Sequence, residues 1–221
     1  MAGNKIVWDE IGQKLWETGL DQGVLYVRNA EGAYPKGVAW NGLISVTEGV
    51  SGGEANPFYA DNIKYANVMS NEEFNPAIEA YMYPEEFEAC DGSKSIVPGV
   101  TIGQQKRSVF GLSYRTKIGN DVDDAEHGYK IHLVYGAQAN PSEKSRSTVN
   151  ESPDLMTMSW DCTTTPVAVK DAKPTAHLVI DSTKVDAVKL TALEAVLYGS
   201  ESAEARLPLP DEIVDLIGTA G

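Results

Sequence analysis

The chain has 221 residues, 42% hydrophobic side chains and a formal net charge of −14. That hydrophobic fraction excludes wholesale disorder, and no apolar run reaches the roughly 18 residues needed to span a bilayer. The acidity excludes a nucleic-acid backbone as a partner held by charge, because such affinity comes from lysine and arginine displacing counterions.

Met1 to Asp9 lacks the apolar stretch of a secretory signal, so folding in a cytoplasm is expected. The pattern that follows is mostly β. Gly23 to Val27 reads as a strand and Val38 to Thr47 as one longer strand, both rich in branched and aromatic residues. Gly49 to Pro57 carries three glycines and a proline and reads as a flexible loop. Ile63 to Met69 and Ala77 to Tyr83 are further strands, the second with Glu79, Tyr81 and Tyr83 alternating with Ile78, Ala80 and Met82.

Pro84 to Cys90 reads as a short helix, with proline at its start and glutamates near its positive end. Val109 to Lys117, Tyr129 to Tyr135, Met156 to Cys162 and His177 to Asp181 are four more strands. Asp186 to Tyr198 is the clearest helix: Leu190, Leu193 and Leu197 share one face and Gly199 stops it. Leu207 to Pro210 must be extended, and a last short helix covers Asp211 to Ile217. The pattern predicts one mainly β domain over 1–221, a sandwich or barrel flanked by one or two helices. Residues 200–221 form a C-terminal extension.

Charge is unevenly spread. Residues 48–91 hold ten acidic side chains and one basic one, Lys64. This segment is expected to leave the core as an acidic arm or loop, ordered by a partner.

Little in the chain suggests chemistry. Cys90 and Cys162 read as buried fillers of a reduced protein, and they do not sit at metal-ligand spacing with His127, His132 and His177. Gly49-Val50-Ser51-Gly52-Gly53 matches the nucleophile-elbow pattern, but Asn56-Pro57 prevents the helix that must follow it. Asp121 to Glu126 reads as an acidic turn and lacks the glycine and distal glutamate of a calcium loop. His132 and His177 read as packed and His127 as solvated. Asn150-Glu151-Ser152 is a sequon without meaning outside a secretory pathway. With no phosphate-binding glycine motif either, no enzyme activity, cofactor or metal is expected.

Six stretches carry a resemblance: Tyr59 to Tyr65, Ala80 to Gly92, Phe110 to Thr116, Gly128 to Ala137, Ser159 to Val167, and Leu193 to Gly199 with Leu207 to Pro210. In this order they resemble the major tail proteins of siphophages infecting Gram-positive bacteria. The resemblance implies a tail-tube β-sandwich or barrel, with six copies in a ring and rings stacked into a tube that conducts DNA. It also implies tail terminator, tape measure and distal tail proteins as partners, and a place in the virion after assembly in a bacterial cytoplasm. Glu72, Glu73 and Glu79 then become candidates for the lumen or for the arm. The loop holding Glu48, Ser51, Gly52, Gly53, Asn56, Pro57 and Tyr59 becomes the candidate ring-to-ring contact. Rival readings are a tube subunit of a contractile or secretion-type machine, a small β-sandwich enzyme or binding module, and a capsid decoration protein.

Overall fold

The computed structural model describes residues 5–149, 151 and 154–218; Asn150 and Ser152 of the sequon lie outside these. Strands β1 (Trp16–Val27), β2 (Gly37–Ala39) and β3 (Leu43–Thr47) come first. A ribbon follows, made of β4 (Val50–Gly52), β5 (Ala55–Ala60), β6 (Ile63–Met69) and β7 (Glu72–Phe74). Then come β8 (Ala77–Ala80), a 3-10 turn (Glu85–Phe87) running into α1 (Glu88–Asp91), and a hairpin of β9 (Lys94–Val97) and β10 (Val100–Ile102). The chain ends with β11 (Phe110–Asn120), β12 (Asp124–Ala139), β13 (Met158–Thr164), β14 (His177–Asp181), α2 (Ala187–Tyr198) and α3 (Pro210–Gly218).

Eight strands form one antiparallel sheet in the order β2-β1-β11-β12-β13-β8-β3, with β14 on the middle of β12, Lys130 to Val134. The strands β2 and β3 stand at opposite ends of that order, yet only Trp40, Asn41 and Gly42 join them. Six strand spacings of about 4.8 Å would hold them about 29 Å apart in a flat sheet. The link spans about 15 Å at full stretch. The sheet must therefore roll until its ends approach, and the Trp40 N–H donates back to Gly23 O of β1 at 2.8 Å.

Rolling creates two cores. Leu25, Ile78, Phe110, Leu112, Val134 and Trp160 point inward. Val24, Tyr26, Leu133 and Tyr135 point outward from the same strands and are covered by Leu190, Leu193 and Leu197 of α2 and Ile213 of α3. Both faces of these strands are buried, which is why their sequence runs apolar without alternating. Asp186 caps α2, accepting hydrogen bonds from the N–H groups of Val188 and Lys189. The helix α1 plugs the barrel: Phe87 and Cys90 lie in the inner core, with Phe87 edge-on to Trp160 and Phe110. Cys90 and Cys162 are both free and buried, and burial pushes each thiol up to about 12.

The architecture is the one expected, mainly β with a rolled sheet and flanking helices, but several local features differ. The single strand over 38–47 is two strands, broken by a turn at Asn41-Gly42. The flexible loop over 49–57 is ordered ribbon, because β4 pairs β7 and β5 pairs β6. The acidic segment 48–91 divides: residues 50–74 leave the barrel, while β8 and α1 belong to it. The hairpin of β9 and β10 was not anticipated. Residues 200–218 are part of the outer core through Leu207 and Ile213.

Candidate functional site

The most distinctive feature is the arm and what holds its foot. Its strands are exposed almost throughout. Asp61 and Asn62 form the tip with φ of 51° and 63°, the two-residue turn that matches the twist of a hairpin. Gly52, the last residue of β4, and Gly53, between the two paired segments, sit at φ 77° and 70° and bend the ribbon. A Cβ on Gly52 would lie 2.1 Å from Asn71 O, so only glycine fits there. Phe58, Tyr59, Ile63, Tyr65, Val68 and Met69 are all exposed, Tyr65 by 77%.

The candidate residues fall in three places. Glu72 and Glu73 are exposed in β7, at the base of the arm. Glu79 lies in β8 of the main sheet, half-buried, and accepts a hydrogen bond from Ser45 Oγ at 3.4 Å. Ser51, Gly52, Asn56, Pro57 and Tyr59 belong to arm strands and Gly53 to the bend between them, while Glu48 precedes β4 at the foot. Ser51 Oγ accepts from Asn75 Nδ2 at 2.8 Å; it sits on a strand, with no helix following it.

Asp91 departs from the acidic surface. It is 7% exposed and accepts from Trp160 Nε1 at 2.8 Å and from Lys144 Nζ, with Arg107 Nη1 3.8 Å away. His127 pairs with Asp123 at 3.0 Å in the acidic turn.

Sequence spacing gave no warning of the cluster at the arm's foot. Phe74, the last residue of the arm, stacks on His177 with ring centres 4.6 Å apart. Tyr114 stacks on His132 at 4.7 Å and 5°. The two histidines meet edge to edge. Their ring centres are 5.5 Å apart but Nδ1 of His132 and Nε2 of His177 are 3.3 Å apart, so these nitrogens lie almost on the line between the rings. Register explains the meeting: His132 pairs Val179 and His177 pairs Val134, which sets the histidines diagonally on one face.

Glu48 reaches into this cluster. Its Oε1 accepts from Tyr114 OH at 2.6 Å and lies 3.0 Å from His132 Nδ1 and 3.7 Å from His177 Nε2. Burial holds His132 and His177 below the usual imidazole range, outweighing the attraction of Glu48. Burial and then the Glu48 hydrogen bond hold the Tyr114 phenol well above its ordinary value. On the far side of His132, Nε2 is 3.0 Å from Thr116 Oγ1, which itself donates to Glu17 Oε1 at 2.6 Å. Burial alone would raise Glu17; hydrogen bonds from Lys130 and Thr116 prevail and hold it below the usual range. No helix among the described residues is long and apolar enough to cross a membrane.

Among solved structures, the chain is similar to one in the "Extracellular Contractile Injection System, PVC sheath-tube complex in extended state". The two share 12% sequence identity with a TM-score of 0.37, over 72% of this chain and 88% of that chain. No protein-family model matches the sequence, and no curated protein matches it.

Proposed function

We propose that this chain is a structural subunit of a siphophage tail tube, assembling as hexameric rings that stack into a conduit for DNA, and that it carries no catalysis. The observation that carries the reading is the arm. A two-stranded ribbon is marginal in water by itself, and monomers rarely expose so many large apolar side chains together. Residues 50–74 are such a ribbon, whose strands pair, among the described residues, only with one another. Two further exposed apolar segments support assembly: Ile6, Val7, Trp8 and Ile11 near the start, and Ile96, Val97 and Val100 in the hairpin of β9 and β10.

In this reading the arm reaches a neighbouring copy, and its loop of Glu48 to Tyr59 supplies the ring-to-ring contact. Glu79 lies between Ile78 and Ala80, whose side chains enter the inner core, so its carboxylate faces away from that core. It is the lumen candidate, and Glu72 and Glu73 are the arm candidates. Carboxylates along a lumen repel phosphates and let DNA slide without sticking.

Excising the arm tests this. The N–H of Asn75 donates to Gly49 O at 2.7 Å, so a short glycine–serine link between them spares the barrel. The expected product is a folded subunit that forms no rings or tubes at concentrations where the intact chain does. Tubes of normal appearance from the excised chain would contradict the arm's role.

A further inference from the structure

Three acceptor atoms converge at the arm's foot with too few hydrogens to share. Thr116 Oγ1 spends its proton on Glu17, so its oxygen accepts from His132 Nε2–H. With that tautomer, His132 Nδ1 is a bare lone pair, 3.0 Å from Glu48 Oε1, which only accepts. Beside the Tyr114 O–H already given to Glu48 Oε1, the group has the hydrogen that His177 places on Nε2, along the 3.3 Å line to His132. The contact between Nδ1 and Oε1 is then acceptor against acceptor in a half-buried site.

A cation removes the conflict. The three donor atoms form a triangle with edges of 3.0, 3.3 and 3.7 Å. Zinc bound at about 2.0–2.1 Å to nitrogen or oxygen in tetrahedral geometry has ligand edges of about 3.3 Å. We propose that Glu48, His132 and His177 form a zinc-class divalent metal site that fastens the root of the arm to the sheet.

The surroundings suit it. Two imidazoles and one carboxylate are the ligand set of a borderline metal rather than of calcium or magnesium. The outer nitrogen of His132 is already held by Thr116 and Glu17, and Tyr114 OH holds the ligating oxygen of Glu48, as supporting shells around bound zinc do. The Glu48 side chain is 38% exposed, which leaves an entry path. The lone pairs of the two rings face one another along their common 3.3 Å line, and a metal about 2.05 Å from both nitrogens lies about 36° off that line, so each ring tilts toward it, the last torsion of histidine being a broad one. His177 moves its proton to Nδ1. The three ligands come from the β3–β4 junction, β12 and β14, so the metal fixes the arm's direction. The site stands whether or not the chain assembles into tubes.

The test is calorimetric titration of the full, chelator-stripped chain with zinc chloride at neutral pH, alongside cobalt(II) absorption and limited proteolysis of the arm. One zinc per chain is expected, with micromolar or tighter affinity, tetrahedral cobalt bands and slower arm cleavage. His177→Ala and Glu48→Gln should each weaken binding at least about tenfold, and His127→Ala should leave it unchanged. His177 and Glu48 are the less buried ligands, so these variants keep the test readable if His132→Ala fails to fold. No saturable zinc binding, or binding that survives His177→Ala and Glu48→Gln at full strength, overturns the site and leaves a shared proton as the occupant.

Discussion

The carboxylate of Asp91, at the end of the plug helix α1, accepts the indole N–H of Trp160 on β13 at 2.8 Å, inside the barrel wall. Lys144 neutralises its other oxygen and Arg107 approaches from the side. The plug is thus held by a buried charge with three partners. Asp91→Ala leaves Lys144 and the Trp160 N–H without it and should cost about 3–5 kcal/mol. Asp91→Asn, which still accepts from Trp160, should cost less. Denaturant unfolding of the two variants checks the order; equal losses would show that the Trp160 hydrogen bond adds nothing beyond the charge.

Arg115 grips Asp21 through Nε at 2.7 Å and Nη2 at 2.9 Å, joining β11 to β1. The Arg115 hydrogen bonds hold the Asp21 carboxyl below the usual carboxylate range. A lowered carboxyl gives stability that is present above its unfolded value of about 3.9 and lost as pH falls through the lower folded value. Both side chains are partly exposed, so about 1 kcal/mol is expected at neutral pH. The gap between wild type and Asp21→Asn should stay constant from pH 7 to 5 and narrow below about 4. A gap independent of pH would contradict the pairing.

Two glycines with similar backbones should behave differently. Gly136 has φ 62° inside β12, and a Cβ there would lie 2.1 Å from Thr165 O; Gly52 meets the same distance in the arm. Each alanine costs about 1–3 kcal/mol of local strain. Gly136→Ala should lower global stability by about that amount. Gly52→Ala should leave the melting temperature nearly unchanged and speed amide exchange only over residues 50–74. A global loss from Gly52→Ala would show the arm to be part of the cooperative core.

The sequence pattern revealed those elements whose partners lie beneath them. Leu190, Leu193 and Leu197 mark α2 by their spacing, and the apolar runs of β11 and β12 mark buried strands. Trp40 and Trp160 are both core residues, Trp160 on β13 and Trp40 in the link between β2 and β3. Gly49, Gly52, Gly53 and Pro57 signal a loop locally, whereas cross-strand pairing with residues 63–74 makes the arm a ribbon. The cluster at its foot was invisible because Glu48, Tyr114, His132 and His177 come from separate elements joined only by the sheet's register. Asp91 reads as one more acidic residue of its segment because nothing nearby in sequence names Trp160 or Lys144 as its partners.

The central claim is self-assembly into a tube, and negative-stain microscopy of the purified protein over a concentration series tests it most directly. The account predicts rings or tubes with sixfold end views that become more numerous with concentration. A chain that stays monomeric at every concentration, or that shows hydrolase activity as a monomer, would contradict it.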